Sequence, residues 1–513
     1  MVAVINFGGQ YAHLIARRIR ELGVKSELFS PDVSITTLNH AKPQAIILSG
    51  SPYSVYKKNA PKPNSKIFNL NIPILGICYG LQLIANHFDA NVTSHEQKQF
   101  GKEIIITKTS PLFSGLSREE IVWFSHGDQV NKIPKGFNII ATSKNAKIAG
   151  LENSKKKIFG IQFHPEVTHT PKGKIILSNF LFKIAGVNRD WNISKVKDLI
   201  ITSLKNEIKN EIIIMAVSGG VDSLVAATLI KVAAPRNLHL VFIDTGLMRK
   251  NEVLEVKKII NHVGFINFKT IDASRIFLKS LSGIIDPEKK RKIIAHNYFK
   301  VFEKEAKNIK NVLPAGMQVK FLGQGTIYPD RVESAQTSEH ADKIKSHHNV
   351  TIPKNLKLSI IEPLADLYKD EVRKIGVLLN IPQEFIQRHP FPGPALAIRI
   401  LGEVTPKRLS ILREVDDIFI SELKSNGLYN KVGQAFAALL PIKSVGVMGD
   451  ARTYSYIISL RSVDTTDFMT ADWTRFNPEF LEKVSNRIVN EVRGVNRVLH
   501  DITQKPPSTI EYE

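Results

Sequence analysis

The chain has 513 residues and a formal charge of +22, from 70 Lys and Arg against 48 Asp and Glu. At about 150 residues per domain the length predicts about three domains and excludes a single small module. The positive charge is compatible with nucleic acid, anionic membranes or phosphorylated substrates as partners. It is equally compatible with an ordinary solvated basic surface. The only cysteine, Cys78, excludes intrachain disulfides and zinc sites of several thiolates, and favours a reducing compartment.

The N-terminal residues, Met1 to Arg20, read as a strand, a Gly-Gly turn and a helix. They lack the long apolar run and small-residue cleavage site of a signal peptide. No segment approaches about 18 uninterrupted apolar residues, so no transmembrane span is predicted. We therefore expect a soluble, cytoplasmic protein without a membrane partner.

Short β-branched runs recur along the chain, most of them ending at a glycine and followed by helical periodicity. They are Val2 to Phe7, Ala45 to Gly50, Pro73 to Cys78, Ile212 to Gly219, Leu238 to Gly246, and Val319 to Gly325. Alternating strands and helices predict parallel sheets covered on both faces. The fold class is therefore α/β, with two successive parallel-sheet domains.

Two segments have the composition of domain boundaries. The polar, turn-like stretch Gly186 to Asn192 precedes the second strand-and-helix series, and the proline-rich stretch His389 to Pro394 stops any helix. We predict domains at 1–188, 192–388 and 389–513, the last of them α+β.

Cys78 lies in the run Gly76-Ile77-Cys78-Tyr79-Gly80, between an apolar strand and a helix. Small neighbours at a strand-turn-helix elbow permit a strained, outward-pointing nucleophile, and the helix N-terminus favours its thiolate. His164 and Glu166 follow another apolar strand, Ile158 to Phe163, and supply the base and orienting carboxylate that such a cysteine needs. Backbone amides of the turn at Gly50 and of Tyr79 are the expected oxyanion donors.

These runs, with Phe163-His164-Pro165-Glu166, resemble the class I glutamine amidotransferase family. The resemblance implies that Cys78 attacks glutamine, forms a glutamyl thioester and releases ammonia, with His164 as general base and Glu166 orienting it. The family commonly has two glycines in the oxyanion turn, whereas this chain has Gly50-Ser51.

A second glycine-rich turn follows the strand Ile212 to Val217 and opens a helix. Its residues are Ser218, Gly219, Gly220, Val221, Asp222, Ser223 and Leu224. Backbone amides, serine hydroxyls and the helix N-terminus suit phosphate, but the Walker spacing and its lysine are missing. The turn resembles the PP-loop of ATP pyrophosphatases, which implies cleavage of ATP between the α and β phosphates. Asp222 would then help to hold Mg²⁺.

A polar stretch after Gly325 has the composition of a lid over phosphates. It carries Lys345 and the adjacent pair His347 and His348. Adjacent histidines point in different directions and no third ligand follows at a characteristic spacing, so a lid is favoured over a metal site. In the preceding strand series, Phe242 to Gly246 is expected to contact adenosine at the carboxyl edge of the sheet.

Five further segments resemble the glutamine-hydrolysing GMP synthetases, and this resemblance covers the whole chain. They are Asp286 to Ile294, His389 to Pro394, Gly446 to Arg452, Asp467 to Ala471 and Lys505 to Glu511. It implies that ATP adenylates xanthosine 5′-monophosphate (XMP) at O2 with release of pyrophosphate. Ammonia then attacks C2 and displaces AMP to give GMP.

The same resemblance assigns residues and a partner. Arg291, Gln434, Lys505 and Glu511 would bind XMP, and Asp330, Glu333 and Lys345 would belong to the lid, although solvated helix charge also explains Arg291. The segment Val350-Thr351-Ile352-Pro353 has fewer glycines than the family pattern and predicts a stiffer lid. A homodimer through the third domain is implied; the strand-like Ser455 to Leu460 and helical Pro478 to Val492 fit an intramolecular core equally well.

Three other functions fit parts of this sequence. A tRNA-modifying PP-loop enzyme fits the charge, but thiolating members need spare cysteines. A nucleic-acid-binding protein is expected to cluster basic residues with exposed aromatics, which this sequence does not do, so we expect no nucleic acid partner. Another ammonia-dependent ligase with a different acceptor is the closest enzymatic alternative.

Overall fold

The computed structural model describes residues 1–314, 317–335, 358–448, 451–465, 468 and 470–513. The chain divides into two compact units, Met1–Asn192 and Ile193–Glu513. The break between them falls at the end of the turn-like stretch that the sequence singles out, whereas the further division at 389 stays a prediction. Among the described residues, every helix is too short or too polar to cross a membrane.

The first unit is built on one mixed sheet. Its strands are β1 (Val2–Ile5), β2 (Ser26–Phe29), β3 (Ala45–Leu48), β4 (Ile74–Ile77), β5 (Val92–Thr107), β6 (Glu119–Val130), β7 (Asn138–Ser143), β8 (Gly150–Asn153) and β9 (Ile158–Ile161). Its helices are α1 (Ala12–Glu21), α2 (Ile35–Ala41), α3 (Tyr79–His87) and α4 (Gly173–Ser178), the last continued by a π-helical segment, Asn179–Ile184. Short 3₁₀ helices span Ser65–Asn69 and Pro111–Phe113.

The strand order within the described part of this sheet is β2-β1-β3-β4-β9-β8-β7-β5-β6. The first five strands in that order, from β2 at the edge to β9, are parallel to one another. The remaining neighbouring pairs are antiparallel. The parallel half agrees with the predicted α/β class. The antiparallel half is an addition: in β6, buried and exposed residues alternate over most of the strand because only one sheet face packs on the core.

The second unit begins with a parallel sheet. Its strands are β10 (Ile212–Ala216), β11 (Leu238–Asp244), β12 (Asn267–Asp272), β13 (Val319–Gly323) and β14 (Ser359–Ile361). The helices here are α5 (Ile193–Ile208), α6 (Val221–Ala233), α7 (Glu252–Val263), α8 (Ser274–Leu281), α9 (Pro287–Val312), α10 (Tyr328–Ala335), α11 (Lys369–Leu378) and α12 (Gln383–Ile386). The order β12-β11-β10-β13-β14 reverses direction at β10 and β13, where such sheets bind ligands.

The remaining elements of the second unit form an α+β layer. They are helices α13 (Pro406–Ser425) and α14 (Pro478–Glu491) with strands β15 (Gln434–Met448), β16 (Ala451–Asp464), β17 (Asp472–Trp473) and β18 (Val495–Asp501). Both helices begin at a proline directly after a side-chain cap, Thr405 or Asn477. The predicted strand at 455–460 lies inside β16, and the predicted helix at 478–492 is α14. Short 3₁₀ helices span Ala395–Arg399 and Tyr429–Lys431.

The six strands predicted from the apolar runs are all present, and each ends one to three residues earlier than its run. The run Ile212 to Gly219, for example, becomes a strand that ends at Ala216. The last residues of these runs leave the sheet because they form the turns that carry the candidate sites.

Candidate active sites

The candidate nucleophile sits at a strained elbow. Cys78 directly follows β4 and precedes α3, with φ 55° and ψ −103°. A non-glycine residue seldom adopts this backbone conformation, which the surrounding structure must enforce. The first amides of α3 have no acceptor within the helix and lie beside the cysteine. The predicted nucleophile elbow is thus seen in the backbone itself.

The two glycines that flank the cysteine allow three elements to cross closely. A Cβ added to Gly76 would lie 2.5 Å from the carbonyl of Gly80, and one added to Gly80 would lie 2.3 Å from the carbonyl oxygen of Leu48 in β3. Real Cβ contacts are never this short, so both positions require glycine. The glycines place the N-terminus of α3 directly against β3 and β4.

The base and its orienting group lie next to the cysteine. His164 Nδ1 and Glu166 Oε1 are 2.7 Å apart, and both side chains are buried. Burial lowers the pKa of His164, but the negative charges of Glu166 and of Cys78 as a thiolate outweigh it and raise that pKa to about 10. The side chains of Cys78 and His164 are also hydrogen-bonded. This arrangement favours the imidazolium form of His164 at neutral pH.

The predicted oxyanion donors lie at the same place. A Cβ added to Gly50 would lie 3.3 Å from His164 Cε1 and 3.9 Å from Cys78 Cβ, so this turn borders both reacting groups. Ser51 is accommodated by its side chain, which donates to the carbonyl oxygen of Phe7 at 2.8 Å. Tyr79 is the first residue of α3, and its hydroxyl donates to the carbonyl oxygen of Pro61.

Two neighbours of the triad were not predicted. Gln162 is buried, and its amide nitrogen lies 3.8 Å from Cys78 Sγ. The ring of Tyr11 packs edge-on against that of His164, with centroids 5.0 Å apart. Gln162 lies two residues before His164, and this proximity in the sequence was the one sign that it could belong to the site.

The phosphate-binding turn is present after β10. Ser218 Oγ lies 3.2 Å from Ser223 Oγ and 3.3 Å from the amide nitrogen of Gly220. Gly219 has a φ of 81°, and Gly220 is the N-cap of α6. The two hydroxyls, the amide and the helix N-terminus therefore converge, which suits a bound anion.

The proposed Mg²⁺ ligand Asp222 lies in the first turn of α6. Its Oδ2 is paired with the ammonium of Lys369, the first residue of α11. Its Oδ1 is buried and has no hydrogen-bond partner among the described residues. Buried carboxylate oxygens are ordinarily satisfied, so this oxygen is available to a cation. Lys369 was missed, because nothing local distinguishes it from the other lysines.

The turns after β11 and β13 are the other strand ends that the sequence singles out. Asp244 ends β11 and accepts a hydrogen bond from the amide of Gly246 at 2.9 Å. Arg413 of α13 donates to the carbonyl oxygens of Gly246 and Met248. A Cβ added to Gly325 would lie 3.0 Å from the amide nitrogen of Ser223. The turn after β13 thus borders the phosphate-binding turn, and β11 pairs in parallel with the strand that precedes it.

Only part of the predicted lid can be placed. Asp330 lies in the first turn of α10 and accepts a hydrogen bond from the amide of Ile327 at 3.2 Å. The backbone of Glu333 belongs to the same helix. The Glu333 side chain, and all of Lys345, His347, His348 and the segment 350–353, lie outside the described residues.

Two of the predicted XMP residues are in direct contact. Gln434 Nε2 donates to Glu511 Oε1 at 2.7 Å. Arg399 binds the same carboxylate through two nitrogens, at 2.9 and 3.1 Å. The Arg399 side chain is fully buried, with its guanidinium 4.2 Å from the ring centroid of Phe436. Arg399 was not predicted, and it fixes Glu511 more firmly than Gln434 does.

The other two predicted XMP residues are each tied to a different segment. Arg291 donates to the carbonyl oxygen of Glu513 at 2.7 Å, and the adjacent, fully buried Lys290 pairs with the Glu513 side chain. Lys505 donates to the carbonyl oxygen of Phe468 at 2.7 Å. The tail therefore links Arg291, through Glu513, to Glu511 and Gln434, whereas Lys505 is held against the segment at Phe468.

Two family models match parts of the chain. Residues 3–184 match the family model for class I glutamine amidotransferases, and residues 421–512 match that for the GMP synthase C-terminal domain. Among solved structures, a glutamine amidotransferase from Thermotoga maritima aligns with 36% of this chain and 97% of its own, with 17% identity and a TM-score of 0.30.

Curated relatives match along the whole chain. The glutamine-hydrolysing GMP synthase of Chlorobaculum tepidum is 49% identical over 520 residues, covering 100% of this chain and 99% of the relative. Those of Aquifex aeolicus and Brachyspira hyodysenteriae are 49% and 47% identical over 514 residues, with the same coverage.

Proposed function

Because the chain belongs to the family of glutamine-hydrolysing GMP synthases, we propose that it converts XMP to GMP with ammonia released from glutamine. Glutamine hydrolysis takes place in the first unit, and ATP-dependent activation of XMP in the second. The observation that carries this proposal is that a single chain holds a buried Cys-His-Glu triad and a phosphate-binding turn of the PP-loop type.

The triad can perform the glutaminase reaction. His164 holds the thiol proton as an imidazolium, and the thiolate of Cys78 attacks the side-chain amide of glutamine. The imidazolium then returns the proton to the leaving ammonia, and water hydrolyses the thioester. Glu166 holds the ring by its Nδ1 contact, while the amides near Gly50 and Tyr79 face the developing oxyanion.

The second unit can activate XMP. Ser218, Ser223 and the amide of Gly220 would hold the β and γ phosphates of ATP, which leave as pyrophosphate when XMP O2 attacks the α phosphate. The free Oδ1 of Asp222 fits one ligand position of Mg²⁺, which takes its remaining oxygens from phosphates and water. The bound cation would neutralise phosphate charge. Lys369, which pairs with Asp222 in this structure, would compete with the cation for that carboxylate. When ATP is bound, the Lys369 ammonium would pair with phosphate oxygens instead.

XMP would bind where the tail of the chain folds onto the second unit. Glu511, held by Arg399, would accept hydrogen bonds from the purine, and Gln434 lies beside it. Arg291 and Lys505 are the cations proposed for the phosphate dianion. Asp330, Glu333, Lys345, His347 and His348 are proposed to cover the bound ATP.

We further propose that the protein is a cytoplasmic homodimer. The described side chains of the paired strands β15 and β16 include four that are large, apolar and exposed, Ile442, Val445, Val447 and Tyr454. Val445 and Tyr454 are cross-strand partners, so they share one face of the hairpin. A second copy of the chain would cover this face. The single cysteine, which must stay reduced to act, fits the cytoplasm.

The decisive experiment compares glutamine with ammonium as nitrogen donor. Wild-type protein with ATP, Mg²⁺ and XMP should release AMP, pyrophosphate and GMP with either donor. Cys78→Ala should lower the glutamine-dependent rate by more than about a thousandfold, because the nucleophile is gone. It should keep the ammonium-dependent rate, because the two reactions use separate sites.

Two results would contradict the proposal. Loss of both activities in a folded Cys78→Ala protein would show that the sites are not chemically separate. Absence of XMP-dependent pyrophosphate release from the wild type with either donor would point to another acceptor.

A further inference from the structure

A partly buried arginine lies behind the phosphate-binding turn. Arg388 Nη1 donates to the carbonyl oxygen of Gly219 at 3.0 Å. Its Nη2 pairs with Glu252 at 2.9 Å and with Glu255 at 2.5 Å, both in the first turn of α7. The arginine thus ties the turn to a helix that follows the neighbouring strand.

The bond to Gly219 determines which way the next amide points. The peptide between Gly219 and Gly220 is planar and trans, so its carbonyl and its N–H face opposite directions. With the carbonyl held by Arg388, the N–H of Gly220 points to Ser218 Oγ, on the side where the two serine hydroxyls converge. Rotation of this peptide would instead present the carbonyl oxygen to the phosphates.

The turn has the freedom to make that rotation. Gly219 has a φ of 81°, a region that glycine enters without strain, and glycine also reaches the alternatives at little cost. A Cβ at this position would lie 2.8 Å from Val256 Cγ2 and 3.2 Å from Glu252 Oε1. The close packing on α7 requires glycine, and glycine makes the peptide easy to turn. A separate group must therefore select one orientation.

We propose that Arg388 is a positioning residue that fixes the Gly219–Gly220 peptide with its N–H toward the phosphates of ATP. It does not touch the phosphates itself. The inference rests on the proposed function, in which this turn binds the pyrophosphate portion of ATP.

The residue after Arg388 anchors it. His389 stacks on the ring of Tyr429 with centroids 3.8 Å apart, and its Nδ1 accepts a hydrogen bond from the amide of Ala435. Burial lowers the pKa of His389 to about 4, so the ring is neutral and its Nε2–H donates to the carbonyl oxygen of Tyr429. Ala435 directly follows Gln434, which we place in the XMP site. The backbone of Arg388 is therefore held by the layer that binds XMP.

The test uses the full-length protein and three variants. Arg388→Met removes the donor and keeps much of the side-chain length, and Arg388→Lys keeps the charge but not the planar pair of donors. Arg408→Met is the matched control, because Arg408 Nη1 also donates to a backbone carbonyl, that of Glu403, at 2.7 Å. Each protein is titrated with inorganic pyrophosphate and Mg²⁺ by calorimetry. KM values for ATP and XMP are measured in the ammonium-dependent reaction.

For Arg388→Met we expect about a tenfold weaker pyrophosphate affinity and an ATP KM raised by about tenfold, since a charge-assisted hydrogen bond orients the amide. The KM for XMP should change less than twofold. Arg388→Lys should lie between wild type and Arg388→Met, and Arg408→Met should behave as the wild type. A folded Arg388→Met protein with unchanged pyrophosphate affinity and ATP KM would overturn the inference.

One further variant separates orientation from charge imbalance. Removing Arg388 leaves the buried Glu252 without its partner, which destabilises the fold by itself. The double variant with Arg388→Met and Glu252→Gln removes that charge and should keep the weakened pyrophosphate affinity. Restored affinity in the double variant would refute the positioning role. Failure of the wild type to bind pyrophosphate would instead refute the proposed function of the turn.

Discussion

Cys78 and His164 show how single residues acquire their chemistry from the surrounding fold. Cys78 is held at a positive φ by the elbow, and His164 is buried beside two negative charges. Burial alone would keep the ring neutral. The carboxylate of Glu166 reverses that preference, so the histidine is protonated over the physiological pH range.

The first prediction concerns the pH dependence of the glutaminase. The pKa of His164 is raised from 6.5 to about 10, so its stabilising ion pair with Glu166 is complete below pH 6.5 and is lost as the pH rises through about 10. Glu166→Gln removes the charge that raises the pKa. We expect the alkaline limb of the glutaminase profile to move to lower pH, and the rate near neutral pH to fall by about tenfold or more.

The measurement is ammonia release from glutamine between pH 6 and 10.5 with saturating XMP and ATP. The ammonium-dependent reaction of the same Glu166→Gln protein is the control and should be unaffected. An alkaline limb at the wild-type position would show that Glu166 does not set the charge state of His164.

The second prediction concerns the carboxylate in the ATP site. Asp222→Asn keeps the size of the side chain but removes the charge that pairs with Lys369 and that we propose to bind Mg²⁺. Pyrophosphate release should fall by about a hundredfold or more, because electrostatic stabilisation of the phosphates is lost. The folding of the first unit should be unchanged. Adenylation at the wild-type rate, measured as XMP-dependent pyrophosphate release, would exclude Asp222 as the Mg²⁺ ligand.

At the scale of elements, both sites are built on the N-terminus of a helix that follows a buried strand. Helix α3 follows β4 and carries Cys78, and helix α6 follows β10 and carries the phosphate-binding turn. The amides at such an N-terminus stabilise negative charge, which is a thiolate or an oxyanion in one case and a phosphate in the other.

The third prediction concerns the helix crossing behind Cys78. Gly80→Ala would place a methyl group 2.3 Å from the carbonyl oxygen of Leu48, and a backbone atom cannot yield as a flexible side chain does. We expect a loss of about 1–3 kcal/mol in unfolding free energy and a strong loss of glutaminase activity. Thermal unfolding and ammonia release measure the two effects. Asn86→Ala, an exposed position in the same helix, is the control, and equal behaviour of the two variants would contradict the close-crossing argument.

At the scale of the whole molecule, the hairpin of β15 and β16 presents an exposed apolar face. Val447 is 74% exposed and Tyr454 is 66% exposed, whereas the same strands are fully buried nearer to Gln434. Exposed apolar side chains gathered on one strand pair are typical of an interface. In the proposed homodimer, a second copy of the chain would place the same face opposite this one across a two-fold axis.

The fourth prediction tests this assembly. The double variant with Val445→Lys and Val447→Lys places two charges in the proposed interface, so we expect a monomer where the wild type is a dimer at micromolar concentration. Light scattering after size-exclusion chromatography measures the mass. Lys407→Glu, on the exposed start of α13, is the control. A variant that stays dimeric would place the interface elsewhere. A monomeric wild type would contradict the proposed dimer.

The sequence by itself determined the α/β class, the predicted strands, the elbow at Cys78 and the turn from Ser218 to Ser223. These features are local, because each depends on an apolar run, a glycine and a helix start within about ten residues. His164 and Glu166 were also found in this way, since they follow directly after a buried strand. The antiparallel half of the first sheet was not predicted.

Only the tertiary structure decided which distant residues support these sites. Lys369 pairs with Asp222 across 147 positions, Arg388 with Gly219 across 169, and Arg399 with Glu511 across 112. A chain with 70 Lys and Arg offers no local signal that singles out three of them. Their roles arise because the topology brings strand ends and helix starts together and because a charge that is removed from water, wholly or in part, must find a partner.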